Sequence, residues 1–559
     1  MSKYVYGIDL GTTYSCIAYQ DENGRPVVVK NTDGDNITPS VVQYDDEGNV
    51  IVGKQAKETS VMYPEHTIAF VKRLIGVSNF AYKDRDGVDI SPSEISAFIL
   101  GKLTIDAGKL NDDTVTDVVI TCPAYFGENE RSATKEAGKL AGLNVLSIIE
   151  EPTAAAIYYG CTRGTEDKTV LIYDLGGGTF DITVMKITDG EIRVLCTDGD
   201  HDLGGKNWDD ALKRHFMDVF IEQTNYDGDF DSESLQDLTL LVEDAKISLS
   251  TRPSVKKMMS VQGVRASITI TQEEFDNLTI PTLLSSTISL TKKVIDVAKN
   301  EKGVDKIDEI LLVGGSTKMP QVSKAIQENF NIEPKILEPD EAVAKGAAIF
   351  AVMMRESAVP NVIAEEENKE IVETKTDEET GDITYVVEDT ETGQREEVVQ
   401  KKSMSLAPAG GGVKVVSAST KSFGIEAIMG DRGARIFNMI VKDNELPIIV
   451  TEEFGTFTDN QDTVALKIYE STVKDEDFAV DQEFYKGEAI LPLPPNTPAG
   501  TTIAVTMELS TDGTLKIRGL NPQTGEDVRG EFKSDLMLKE EELEEALTRV
   551  AALSKTIGN

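Results

Sequence analysis

The sequence predicts an α/β unit followed by a β-sandwich, a multidomain α+β chain overall, and three observations predict it. Over the first 357 residues, strand-like runs (YVYGID, DVVITC, TVLIYD, EILLVGG) alternate with helical stretches at 128–142, 205–224 and 233–251. From 413 to about 533, short alternating strands recur between the turn signals DNQD, PPNTPAG, TDGT and PQTGED. Between the two, residues 361–400 carry fourteen acidic side chains against three basic ones.

The chain has 559 residues, 40% of them hydrophobic, enough for roughly three or four domains with sizeable cores. Its formal net charge of −41 repels nucleic acid and anionic membrane, because phosphate contacts need clustered Lys and Arg. Cys16, Cys122, Cys161 and Cys196 show no CxxC spacing and read as reduced core thiols. His66, His201 and His215 are too few and too scattered for a histidine metal site. The N-terminus has no signal-peptide apolar stretch, and no apolar run reaches about 18 residues, so a cytoplasmic protein is expected.

Taken in order, the α/β unit is expected over 1–358. An acidic segment over 359–412 follows, either an exposed meander of KEIVETKT, DITYVVED and REEVVQ or a disordered linker, with a flexible hinge at APAGGG (407–412). The sandwich is expected over 413–533. The tail, 534–559, supplies one helix with apolar spacing at Leu543, Leu547, Val550 and Leu553.

The α/β unit also contains a repeated device. GIDLGTT (7–13) and YDLGGGTFD (173–181) are each strand, Asp-Leu-Gly, then a tight Gly/Thr turn into another strand. Two copies about 165 residues apart suggest duplicated halves facing each other. Such turns expose backbone N–H groups to phosphate oxygens, and the aspartate at the strand end can hold Mg²⁺ through water. A third element, EILLVGGSTKMPQV (309–322), offers a helix N-terminus to a ribose or phosphate. No GxxxxGK[ST] is present, which excludes a P-loop nucleotidase.

GIDLGTTYSC, VKRLIG, CPAYFGENERSATKEAG, EPTAAAIYYG, YDLGGGTFD, DLGG, LVGGST and PDEAVAKGAA together resemble the nucleotide-binding domain of the DnaK-type heat-shock protein 70 chaperones. The resemblance implies an actin-like fold of two lobes holding ATP or ADP with Mg²⁺, and K⁺ as a further cation. It places Gly11, Thr12, Thr13 and Tyr14 in the first phosphate loop and Gly176, Gly177, Gly178 and Thr179 in the second, with Gly204 of DLGG nearby. It puts Asp9 and Asp174 near the metal, and Asp181 beside metal and water. Lys72 stands near the γ-phosphate and Glu151 near the attacking water. Read without the motifs, Lys72 would be a solvated surface lysine and Glu151 a first-turn acid before Pro152. Glu243, Lys246 and Ser250 match the adenosine-contacting helix, and Gly314, Gly315, Ser316, Lys318 and Asp340 the opposite wall. Lys318 replaces the arginine of many members, and a lysine cannot stack on adenine as a planar guanidinium does.

KSFGIEAI, TFTDNQD, VALKIYE and TDGTLKIRG resemble the family's substrate-binding sandwich. The resemblance implies a peptide groove lined by Ile425, Ile428, Phe454, Phe457, Val464 and Leu466; the alternative is that these are ordinary sandwich core. The implied function is an ATP-hydrolysing chaperone for exposed hydrophobic peptide segments, the alternative being a holdase or scaffold with weak turnover and weak interdomain coupling. A J-domain protein and a nucleotide exchange factor are the implied partners. Three departures stand out. The long helical lid is reduced to one helix. The linker VKVVSAST carries Ser417 where an aspartate belongs. Ser147 and Glu150 replace an arginine and an asparagine of the J-domain surface, with Glu150 expected to add an exposed negative charge there.

Overall fold

The computed structural model describes residues 2–77, 81–83, 87–163, 167–188, 191–365, 369–376, 383–389, 395–400, 414–521, 525, 527–531 and 540–557. The hinge expected at APAGGG lies outside them, as does most of the turn signal PQTGED.

Two sheets of like plan carry the α/β unit. In the first, the order is Asn144–Glu150, Asp117–Cys122, Tyr6–Asp9, Tyr14–Gln20, Pro26–Val28, with Thr38–Pro39 pairing beside Tyr14–Gln20. In the second it is Lys335–Ile336, Glu309–Val313, Lys168–Leu175, Phe180–Thr188, Glu191–Asp200, Lys414–Val416. In each sheet an antiparallel hairpin turns at the Asp-Leu-Gly motif, and its first strand has a parallel neighbour on the other side. The registers correspond too: Asp9 faces Cys16 across one hairpin, and Asp174 faces Asp181 across the other.

The helices Glu151–Arg163 and Ala342–Glu365 join the lobes. Their packing is backbone on backbone: a Cβ on Gly346 would lie 1.7 Å from the carbonyl oxygen of Ala154, and one on Gly7 would lie 2.0 Å from the Ala348 nitrogen. Val5 and Val119 of the first sheet share a core there with Val170, Ile172 and Leu311 of the second. Each lobe has a further core of its own, and Trp208, the chain's single tryptophan, is fully buried in the second.

The connecting helix runs to Glu365, beyond the expected boundary at 358. The three acidic pieces form an antiparallel three-stranded sheet, Lys369–Thr376, Ile383–Asp389 and Arg395–Gln400. That is the meander and not the disordered linker. Lys414–Val416, expected at the start of the sandwich, instead pairs in parallel with Glu191–Arg193 as the edge strand of the second lobe.

The sandwich packs five strands (Asp477–Ala479, Ala434–Ile440, Ser422–Ile428, Gln461–Ser471, Tyr485–Thr497) against four (Ile448–Gly455, Thr502–Leu509, Leu515–Leu520, Asp527–Glu531). Strict alternation in Thr502–Leu509 sends Ile503, Val505, Met507 and Leu509 inward, as a half-buried strand requires. The terminal helix Glu540–Ile557 lies on the first lobe, where Ala546 and Val550 join that lobe's core and Arg549 donates to Glu94 at 2.6 Å. Among the described residues no helix is long and apolar enough to cross a membrane.

Candidate functional site

The two Asp-Leu-Gly hairpins meet face to face at the floor of a cleft of about 610 Å³, well within the size range of small-molecule sites. They touch directly. A Cβ on Gly177 would stand 1.9 Å from Thr13 Oγ1, and one on Gly178 would stand 2.3 Å from Thr12 Cγ2. Glycine at both positions therefore lets one turn seat against the other.

The carbonyl oxygens of the second turn are all engaged from behind. Gly176 O accepts from Ser316 Oγ at 2.8 Å and Gly205 N at 3.0 Å, and Gly177 O accepts from Lys206 N at 2.8 Å. Gly178 O accepts from the Arg73 guanidinium at 2.6 and 3.0 Å. The negative ends of these peptide dipoles are thus occupied, which suits the turn to receive anions on its amide side. In the first turn, Ser15 Oγ accepts from Gly11 N at 3.1 Å and Ser40 Oγ donates to Gly11 O at 2.7 Å.

Above the turns lies a strongly acidic floor with one cation. Lys72, 5% exposed, is ion-paired with Glu151, with Asp174 and Asp181 buried and Asp9 half-buried around them. Asp9 accepts from Thr121 Oγ1 at 3.1 Å, and Asp181 Oδ1 from Ala124 N at 3.0 Å, while Asp181 Oδ2 has no hydrogen-bond partner. Burial, then repulsion by Glu151, pushes the Asp9, Asp174 and Asp181 carboxyls well above the usual range. Burial works against the charge of Lys72, but Glu151 and Asp9 overcome it and leave the ammonium harder to deprotonate than usual. A floor this negative calls for a cation of hard, oxygen-loving character. No three Asp, Glu, His or Cys among the described residues stand close enough to ligate one metal directly.

The walls come from the second lobe. Glu243 and Lys246 project from helix Ser232–Leu249, with Ser250 as its C-cap. Lys246 bonds Asp209 at 2.7 Å, and Asp209 Oδ1 has no hydrogen-bond partner. Glu243 Oε1 reaches across the cleft to Lys57 Nζ at 2.7 Å and Tyr14 Oη at 3.3 Å, tying lobe to lobe. On the other wall, Gly314 adopts φ +83° and packs on Leu175, a conformation and a closeness that only glycine accepts. Gly315, Ser316 and Lys318 follow it, and Lys318 is ion-paired with Asp340.

All of the residues named from the motifs line this cleft except Gly178, Gly204 and Asp181, which back its floor: a Cβ on Gly204 would lie 2.5 Å from Gly178. Sequence reasoning missed Lys57, Arg73 and Asp209, and also Asn207, whose Oδ1 accepts from Arg73 at 2.9 Å. Arg73 sits beside Lys72 in VKRLIG and could have been suspected; the contacts of Lys57 span 186 residues and carry no local signal.

A family model described as Hsp70 protein matches residues 5–367. The chain belongs to the Hsp70 family. Among its relatives, the chaperone protein DnaK of Thermotoga neapolitana is 34% identical over 536 residues, covering 94% of this chain and 79% of that protein. The chaperone protein DnaK of Halobacterium salinarum is 32% identical over 549 residues, covering 97% and 77%. Membership of the Hsp70 family implies nucleotide binding and makes the fold an actin-like ATPase unit with a β-sandwich.

In the Hsp70 sandwich, the six expected groove residues divide. Ile428 and Phe457 are 47% and 69% exposed; Phe454 and Val464 are half-buried against the core. Ile425 and Leu466 are buried between the sheets in the sandwich core cluster, because their strands turn those faces inward. One correction concerns Glu150. It is not an exposed charge: it is buried and accepts from Arg131 at 2.8 Å, beneath the docked sandwich.

Proposed function

We infer that ATP binding and hydrolysis in the cleft control how tightly the sandwich holds exposed hydrophobic segments of other polypeptides. The chain is an ATP-dependent Hsp70 chaperone and an ATPase, and proteins of this kind bind unfolded polypeptides. The observation that carries the coupling is the strand Lys414–Val416, which completes the sheet of the second ATPase lobe and leads directly into the sandwich.

In this reading, the amides of Gly11–Tyr14 and Gly176–Thr179 cradle the phosphates. Asp9 and Asp174 would hold Mg²⁺, with K⁺ as a second cation, and the bound Mg²⁺ would supply charge neutralisation to the phosphates. Lys72 stabilises the γ-phosphate oxygens, while Glu151, Asp181 and Thr179 orient the attacking water. Phosphoryl transfer needs this positioning and charge neutralisation more than covalent help. Glu243, Lys246 and Ser250 hold the adenosine from one side, and Gly314, Gly315, Ser316, Lys318 and Asp340 from the other. Ile428, Phe454, Phe457 and Val464 are the accessible members of the peptide groove. A J-domain protein, a nucleotide exchange factor and a cytoplasmic site of action complete the proposal.

The test is the anisotropy of a labelled Leu-rich heptapeptide titrated with the full chain in ATP and in ADP, alongside ATP turnover with and without peptide. Nucleotide-dependent affinity and peptide-stimulated turnover are expected. Equal affinity in both nucleotides with unstimulated turnover would overturn the coupling.

A further inference from the structure

The sandwich meets the ATPase lobes through two chemically different zones. Its rim is made of matched charges: Lys135 with Asp512 at 3.3 Å, Lys474 with Glu301 at 2.8 Å, and Arg193 with Glu445. Its centre is a cavity of about 20 Å³, room for little more than one water, lined by Glu128, Arg131 and Glu150 of the first lobe, Lys421 of the linker and Glu470 of the sandwich.

Charges in this centre do not match. Glu470 is 5% exposed and neither of its carboxylate oxygens has a hydrogen-bond partner; Glu128 is 4% exposed and its Oε2 has none. A Cβ on Gly127 would stand 2.2 Å from Glu470 Oε1 and 3.1 Å from Glu130 Oε2, so these two oxygens, one from each domain, are no more than about 5.3 Å apart. Arg131 is committed to Glu150 at 2.8 Å and to Phe126 O at 3.1 Å, with Cys122 and Asp512 as its further neighbours. Lys486 stands 3.2 Å from Glu470, and Lys421 acts on Glu130 from the linker. Two buried carboxylates, Glu128 of the first lobe and Glu470 of the sandwich, with the half-buried Glu130 beside them, therefore share two lysines, an arrangement that favours discharge of negative charge on the first-lobe side.

We propose that this joint is a proton-dependent latch: docking of the sandwich on the first lobe, against the Glu470 carboxylate, takes up protons at Glu128 and Glu130, and loss of those protons releases it. The inference goes beyond the chaperone reading and does not depend on what occupies the cleft. Burial pushes Glu128 up to about 7, with the Ser132 hydrogen bond opposing it and Glu470 adding to it; burial and Glu470 raise Glu130 as well. Once the domains separate, these groups return to the ordinary value of 4.5. The docked state therefore binds more protons between these two values. Docking is strongest at the acid end and weakens as pH rises toward 7. One such group shifts the docking equilibrium roughly twentyfold between pH 5.5 and 7.5.

The experiment is hydrogen exchange of the 414–421 amides in the nucleotide-free full chain across that range, corrected for intrinsic exchange. Wild type is expected to exchange about twentyfold faster at pH 7.5 than at pH 5.5. The E128Q/E130Q variant, whose amides imitate protonated carboxyls, should remain slow at both. A wild-type change below about threefold overturns the latch, as does a folded double variant that keeps the full pH dependence. Should the double variant fail to fold, the wild-type profile decides alone.

Discussion

Replacing Lys72 by methionine tests the cleft most directly. The ammonium is the cation of a floor that buries Glu151, Asp174 and Asp181 beside the half-buried Asp9. Removing one partner of a buried ion pair costs about 3–5 kcal/mol, because the other charge is left uncompensated. The nucleotide-free Lys72→Met protein should therefore melt several degrees below wild type. Its single-turnover hydrolysis should fall roughly 10²–10⁴-fold, the scale of losing one preorganised charge-stabilising group, while ATP still binds. The double variant Lys72→Met/Glu151→Gln separates the two effects: neutralising both partners should recover much of the melting temperature and none of the hydrolysis. Single-turnover rates within about threefold of wild type would refute the assignment. So would a double variant that regained turnover along with stability.

Other expectations follow from individual contacts. Asp174→Asn should raise the Mg²⁺ concentration for half-maximal turnover about tenfold, since a hydrogen bond to a charged group is worth ~1.5 kcal/mol; an unchanged Mg²⁺ titration counts against a metal-side role. Val464→Phe should weaken heptapeptide binding roughly ten- to a hundredfold by filling a leucine-sized pocket, with the sandwich melt unchanged. Leu466→Phe, in the core, should instead lower that melt by overpacking worth about 1–3 kcal/mol; identical behaviour of the two variants would erase the distinction between groove and core. Glu243→Ala breaks the contact to Lys57 and Tyr14, a partly exposed pair worth ~0.2–1 kcal/mol, so stopped-flow release of a fluorescent nucleotide should speed up roughly two- to fivefold.

Much of the molecule was legible because its signals are local. Helices expected at 128–142, 205–224 and 233–251 are Glu128–Leu140, Gly205–Thr224 and Ser232–Leu249, and the three acidic strand pieces end within a residue of the sheet they form. The two Asp-Leu-Gly turns, recognisable one at a time, face each other because each caps the same position in a duplicated sheet. What failed was partner choice. The apolar face of Leu543, Leu547 and Val550 demands a cover, but nothing in its spacing says that the cover is the first lobe. Alternation marks Ile425 and Leu466 as one-sided without saying whether that side meets a peptide or the opposite sheet. The linker strand was invisible for a third reason: its pairing with Glu191–Arg193 is made by backbone, which the residue types of 414–416 hardly specify.

The same distinction bears on the departures at the joint. Ser147 and Ser417 stand where other members of the family pair opposite charges, and from sequence their loss reads as a broken connection between the domains. The structure holds that connection by other means. Ser147 and Ser417 are both buried; Ser147 Oγ donates to Ile148 O at 3.2 Å, and Ser417 O accepts from Leu446 N at 2.9 Å. Lys135–Asp512, Lys474–Glu301 and Arg193–Glu445 span the domains, while Arg131 and Glu150, both of the first lobe, pair with each other beneath the sandwich. Neutral serines at 147 and 417 leave no charge behind, whereas removing Glu150 alone would strand Arg131 beneath the sandwich. Glu150→Gln should therefore loosen docking, read as faster 414–421 amide exchange, while Ser417→Asp, adding a fourth uncompensated carboxylate beside the cluster, should loosen it further and most strongly at high pH. If Ser417→Asp tightened the joint instead, the serines would be a genuine gap in the connection.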